Sequence, residues 1–365
     1  MSAPSSPLQD VFKDLRNLEI KSTRQLIFDF WPCQLDRPLE EDAVSAISSY
    51  WKDQIRFEKA TTHIVSSLGD LMTVALLIND NPAANKPDLI TKVRSHLPGD
   101  DTRIANSIQL ATRLFFMMDI RDRASSSPPH CFRTSLFWDD PAPLADVLLL
   151  GFPQTCVGPP QLTAPSNGNT SGTYSLTPRL NMYTKTMNIY NLERIGGFHI
   201  QWTDNLVEHL MFEDNKIHLF PHVSLLRRMK ECINSNALPP SFFDETLDSL
   251  SLLLPRNNHQ CAHWFEKQQS KHFLDPALLD LKPAVRDKTR YSFWAERLQI
   301  LEEEFTDSEP KTLRQWWFDR RKRVQWYTFW VAILILFLTV VFGLTQTVAG
   351  IVQAWASVRS LKGTN

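Results

Sequence analysis

Residues 326–344 read WYTFWVAILILFLTVVFGL, and this run decides the architecture. No charged side chain occurs from residue 324 to residue 358, a stretch of 35 positions. Nineteen helical residues at about 1.5 Å each span roughly 30 Å, the thickness of a bilayer core. Trp326, Tyr327 and Trp330 crowd one end of the run, and Trp355 lies beyond the other. Twenty-nine helical steps from Trp326 to Trp355 cover roughly 43 Å, close to the distance between headgroup regions. The sequence therefore predicts a transmembrane helix over residues 326–348, with Leu334, Leu336, Phe337, Val341 and Leu344 in lipid and an aromatic belt at each end. A buried helix of a soluble protein rarely avoids charge for so long.

Working outward, Arg320, Arg321, Lys322 and Arg323 abut the N-terminal end of the run, while only Arg359 and Lys362 follow it. The positive-inside rule places the N-terminal side in the cytosol. The expectation is a tail-anchored, single-pass protein with a short tail, residues 349–365, in a lumen or outside the cell. The membrane expected is the endoplasmic reticulum or another endomembrane, with the plasma membrane as the alternative. Trp316 and Trp317 join the basic cluster in a juxtamembrane segment, residues 306–325, that suits an anionic lipid surface at about 1 kcal/mol per basic residue. Within the helix, Thr339, Gly343, Thr347, Gly350 and Ala354 form a stripe of small residues, flanked by Gln346 and Gln353. Such a stripe allows close helix–helix contact and hence a homo-oligomer.

The formal net charge of −1 hides an asymmetry. Residues 311–365 carry eight basic side chains against Asp319 alone, a net of +7, which leaves 31 basic and 39 acidic side chains in the rest, a net of −8. An acidic body repels nucleic acid, so the bilayer is the partner the charge distribution favours. Apolar residues at 43% allow a sizeable core, while 11 glycines in 365 residues count against folds built on Gly-rich phosphate loops. Five scattered cysteines without a CxxC pair fit reduced thiols better than a disulfide framework. The first 20 residues have no apolar core of a signal peptide and read as disordered.

The soluble domain expected over residues 21–305 is mainly α. Apolar residues at three- and four-residue steps predict one helix over 42–78, stopped by Asn79-Asp80-Asn81-Pro82. Further helices are expected at 87–97 with Pro87 at its first position, at 101–119 capped by Asp100 or Asp101, and at 142–150. Residues 124–178, rich in Pro, Ser and Gly, read as a loop-rich insertion. Helix is expected again at 181–194, 223–234, 244–254, 259–273 and 291–305. The β signal is one strand–helix–strand unit: FHIQW at 198–202, a short helix capped by Asp204, and KIHLF at 216–220.

Three segments carry a resemblance: FHIQWTDNLVEHLMFEDNKIHLF (198–220), SFFDETLDSLSLLLP (241–255) and RQWWFDRRKRVQWYTFWVAILILFLTVVFGL (314–344). Looser echoes are FFMMDI (115–120) and FWDDPAPL (137–144). Across residues 190–350 the chain resembles an uncharacterised family of filamentous-fungal (ascomycete) proteins. Its members show a "WTDNLADHL"-like motif, a DETL-like helix and a "WW-D-RR-VQWYTFW" tail anchor. The resemblance implies a membrane topology and no activity, so no functional residue is carried over.

Two clusters have the residue types that chemistry uses. His259, Cys261 and His263 lie in one segment, but on a helix Cys261 points away from the His pair, and no second ligand pair completes a four-coordinate site. His199, His209, His218 and His222, with Asp204, Glu208 and Asp214, gather in the β unit and have the makings of an acid–base constellation. A half-buried sheet edge is the simpler explanation for them. The chain has no GxSxG, GxxxxGK[ST], GxGxxG or HExxH motif, so no catalytic, cofactor-binding or metal-ligating residue is assigned and no cofactor is expected. The leading functional expectation is a non-enzymatic interaction or scaffold protein at a membrane surface, and the alternative is a membrane-tethered enzyme of unrecognised type. A third is a channel or cell-death effector assembled through the anchor.

Overall fold

Twelve α-helices and five short strands make up the described residues of the computed structural model, which are 20–32, 40–55, 58, 62–122, 134–152, 181–272, 274–308, 315 and 323–362. The fold is mainly α with few strands, as the periodicity predicts. The chain divides into two units, a body comprising 1–193 with 198–308, and a second unit comprising 194–197 with 309–365.

The body opens with α1 (Ile20–Phe30), α2 (Glu41–Ile55), α3 (Leu68–Asp80), α4 (Lys86–His96) and α5 (Asp101–Phe116). The single helix expected over 42–78 is therefore two. Ser67 caps α3: its hydroxyl accepts from the Asp70 N–H, and the Asp70 carboxylate accepts from the N–H groups of Ser66 and Ser67. This reciprocal box starts a new helix where the apolar period alone suggests continuity. Asn85 caps α4, which puts Pro87 at the second helical position and Lys86 at the first. Asp100 caps α5 as expected. This helix ends earlier than predicted, because Met117 takes a left-handed conformation (φ 53°) as its C-cap.

α5 packs against α2, α3 and α4. Phe30, Trp31, Trp51 and Phe115 close their apolar faces, with Trp31 stacked on Phe115 at 5.8 Å. Arg113 is buried in this layer and is neutralised by Glu58 at 2.5 Å, the same carboxylate that His63 approaches at 3.5 Å. Of the loop-rich stretch 124–178, residues 134–152 are described. They hold β2 (Leu136–Phe137), which pairs in parallel with β1 (Ile120–Arg121), and α6 (Leu144–Leu150).

Residues 181–188 are not the first half of a helix, because their backbone is used elsewhere. The Tyr183 N–H donates to the Arg286 carbonyl, and Met182 bridges to Asp287. Helix α7 is only Ile189–Arg194. Gly197 (φ 72°) turns the chain into β3 (His199–Trp202). The short helix expected next is one 3₁₀ turn, Leu206–Glu208, capped by Asn205 and not by Asp204. A strand that the periodicity does not reveal follows, β4 (Phe212–Glu213). Asp214 and Asn215, both at positive φ, turn it back into β5 (Lys216–Leu219). The sheet order is β3-β5-β4, parallel then antiparallel. Helices α8 (Val223–Cys232), α9 (Pro240–Leu253), α10 (His259–His272) and α11 (Ala295–Asp307) complete the body.

The second unit contains α12 (Arg323–Lys362), 40 residues in one helix. Within it Trp326–Ser357 is long and apolar enough to cross a membrane. Among the described residues no other helix meets that test.

Candidate functional site

Two places gather the residues singled out by sequence: α12, and a buried polar hub where the β unit meets α9 and α11.

On α12, Leu334, Leu336, Phe337, Leu344 and Trp355 are all more than half exposed, and Tyr327 and Val341 are exposed as well. Trp326 packs against Tyr327 and Trp330 at 5.2 and 6.1 Å, forming the aromatic end. At the other end the Arg359 guanidinium lies 5.1 Å above the Trp355 ring. Arg323 opens the helix. Arg320, Arg321 and Lys322 lie outside the described residues. In the small-residue stripe, the hydroxyls of Thr339 and Thr347 donate to the carbonyls of Ile335 and Gly343, both at 2.8 Å. Their polar atoms are thus met within the helix, and Gly343 and Gly350 have open space around them. With its threonine hydroxyls satisfied within the helix and its carbon presented outward, this surface has the character of a lipid-facing one.

The hub grows from the segment Trp202–Leu210. Thr203 continues β3, with its N–H donating to Leu219, and its hydroxyl donates to Glu208 Oε2 at 2.7 Å. Asn205 is fully buried. Its Oδ1 accepts from the Asp119 and Val207 N–H groups, and its Nδ2 donates to the Thr134 carbonyl. Glu208 Oε1 accepts from the Thr134 N–H, and His218 lies 3.8 Å from Oε2. The Asp119 carboxylate accepts from Arg121 and Ser135. One motif thereby ties the end of α5, the start of β2 and β5 together. Leu210 is held at φ 59°, a costly conformation for a side chain of its size, by burial and by its N–H bond to the His218 carbonyl.

His209 links the motif to α9. Its Nδ1 accepts from the Phe220 N–H, so its proton sits on Nε2 and donates to Ser249 Oγ at 2.8 Å. Ser249 in turn donates to the Thr246 carbonyl. A general base for Ser249 would need the opposite arrangement, with an unprotonated nitrogen facing the hydroxyl. Burial, helped by the nearby Arg297 cation, lowers the His209 pKa to about 3, so the ring is neutral. Arg297 donates to the carbonyls of Val207 and His209, each at 2.6 Å, and burial lowers its own pKa to about 10.

Trp294 is the meeting point. Its ring stands edge-on to His209 at 4.8 Å, its indole N–H donates to Thr246 at 2.8 Å, and its backbone N–H donates to Glu245 at 2.7 Å. Phe152 and Phe242 complete the cluster at 5.1 and 5.7 Å. The WTDNLVEHL segment and the DETL helix, two of the three motif segments, are thus joined through one buried tryptophan.

The other sequence candidates separate. Asp204 pairs with His222 at 2.6 Å, away from the 3₁₀ turn it was expected to cap. His199 is exposed on the edge strand. On α10, Cys261 is buried, with its thiol pKa raised to about 11 by burial, whereas His259 and His263 are exposed on the other side of the helix. Among the described residues, no three of His, Cys, Asp and Glu gather where they would hold a metal ion. The residues missed from sequence are Asn205, Trp294 and Arg297. Asn205 carries a signal, a capping Asn before a short turn, whereas Trp294 acquires its role only through contacts 48 and more residues away.

No family model, curated protein or solved structure matches this chain.

Proposed function

We propose that the chain is a tail-anchored, single-pass membrane protein whose body works in the cytosol as a non-enzymatic interaction or scaffold module at a membrane surface. One observation carries the reading: the apolar residues of α12 are exposed over a length sufficient to cross a bilayer. In water such a surface carries a cost of about 25 cal/mol per Å² of apolar area, which lipid removes. The hub supports the non-enzymatic part, because His209 is neutral, its proton points at Ser249, and the surrounding polar atoms are used to join elements. The basic residues before α12 favour a cytosolic body, on an endomembrane or on the plasma membrane. The stripe Thr339–Gly343–Thr347–Gly350–Ala354 is the surface proposed for self-association in lipid, with Gln346 and Gln353 beside it.

Three experiments bear on this. Full-length chain should pellet with membranes after alkaline carbonate extraction, and recovery in the supernatant overturns the anchor. A tag placed before residue 20 should be digested by protease added to intact microsomes, while a tag after residue 365 should be protected. Affinity capture from gently solubilised membranes should recover a defined partner set, and its absence overturns the scaffold role.

A further inference from the structure

Among the described residues, the outer edge of β3 has no partner strand. In the parallel ladder with β5, the N–H groups of His199 and Thr203 donate to Asn215 and Leu219, so residues 199, 201 and 203 direct their backbone groups inward to β5. Ile200 and Trp202 therefore direct their N–H and C=O groups outward, and β3 is the last strand of the sheet. The outward position just before them is occupied, because the Phe198 N–H donates to the Leu192 carbonyl of α7. Beyond that bond no described residue pairs with the edge. Protein edges of this kind are normally covered, bulged or very short.

The edge borders a groove of about 270 Å³ lined by His199, Ile200, Gln201, Trp202, Lys216 and His272. Trp202, whose ring centroid lies 6.2 Å from that of Trp264, gives it an aromatic side. None of the polar lining side chains, His199, Gln201, Lys216 and His272, makes a hydrogen bond or ion pair among the described residues. Among the described residues no carboxylate lines the groove, and the nearest acid in the register is Glu213, opposite Lys216 on β4.

We propose that this edge takes an extended, acidic segment of a partner protein as an added strand. The added chain exchanges backbone hydrogen bonds with Ile200 and Trp202, and its carboxylates meet Lys216, His199 and His272. β3 itself (HIQW) carries no carboxylate to meet Lys216, so a second copy paired through this edge supplies none of the acidic groups the lining favours. The inference deepens the interaction reading and rests on it only for its biological setting.

The test uses full-length chain in detergent micelles and a labelled, end-blocked hexapeptide of alternating Val and Glu. Three controls accompany it: the Lys version, a version N-methylated at alternate amides, and the chain carrying Lys216→Glu with His272→Glu. The Glu peptide should bind saturably and slow amide exchange at Ile200 and Trp202, whose N–H groups have no partner among the described residues. N-methylation on the edge-facing amides and the double charge reversal should each weaken binding by about tenfold or more. The reversed chain should instead prefer the Lys peptide, a readout that a misfolded variant cannot give. Absence of binding, equal binding of the N-methylated peptide, or unchanged exchange at Ile200 and Trp202 overturns the proposal. These outcomes are independent of whether capture from membranes recovers partners.

Discussion

Around Trp294 the side chains of Thr203, Asn205, Glu208 and His209 lie inside and are met by other protein groups; along α12 the apolar groups lie outside and are exposed. In the hub, Thr203, Asn205, Glu208 and His209 lose water on folding and recover their hydrogen bonds from residues up to 86 positions away. In α12 the hydroxyls of Thr339, Thr345 and Thr347 bond carbonyls four residues back, with no need of any other element. The body thus depends on long-range convergence, whereas α12 is complete as a local structure and needs only a solvent that tolerates carbon. Damage to one should leave the other working.

The largest separation comes from removing Trp326–Ser357. The chain should move from the membrane pellet to the supernatant, while the body keeps its denaturant midpoint. A graded version, Leu336→Arg with Val341→Arg, costs about 2.5–3.5 kcal/mol per arginine near the bilayer centre and should lower the membrane-bound fraction in the same assay. The converse experiment is Trp294→Ala, which should destabilise the body by about 3–5 kcal/mol in chemical denaturation without changing insertion.

Acid sharpens the comparison further. His209 is held neutral in the folded body, with a pKa near 3 against an ordinary value of about 6.5 once unfolded. Between those values the unfolded state binds the extra proton, so this group makes stability fall as pH drops, by about 1.4 kcal/mol per pH unit. Asp275, whose pKa burial raises, works in the opposite sense at the acid end. The informative quantity is therefore the difference between wild type and His209→Gln, whose unfolding midpoint should depend less on pH from 6.5 downward. Thr246→Val, which strips the Trp294 indole N–H of its acceptor, should cost about 1–3 kcal/mol. The smallest effect expected is Ser67→Ala, about 1 kcal/mol from the lost cap of α3.

What the sequence discloses follows the same division. A helix that answers to local rules is legible: the charge-free run of α12, and α5 with its Asp100 cap and its apolar face, can be read directly. The break between α2 and α3 was also written locally, as Ser67 followed three residues later by Asp70, but the apolar period running past it masks the cap. Residues 181–188 have helical spacing and yet pair with the 285–288 segment, a tertiary claim on their backbone that periodicity does not register. The histidines of the β unit are visible as a group, but their roles depend on Ser249, Asp119 and Trp294, which only folding brings near. β4 is two residues long and leaves no alternation to detect.

The length of α12 bears on which bilayer would suit the proposed anchor. Its apolar section, Trp326–Ser357, has 32 residues where about 20 suffice for an ordinary hydrocarbon core. The surplus of about 12 residues amounts to roughly 18 Å, more than a 20° tilt absorbs. In the bilayer proposed for it, the Gln346- and Gln353-bearing turns stand in the headgroup region, as the Trp355 belt suggests, or the lipids around the helix stretch. A thick, sterol-rich bilayer relieves more of that mismatch than a thin one. If α12 spans a bilayer as proposed, trimming two turns after Leu344 should redistribute the chain toward thinner compartments.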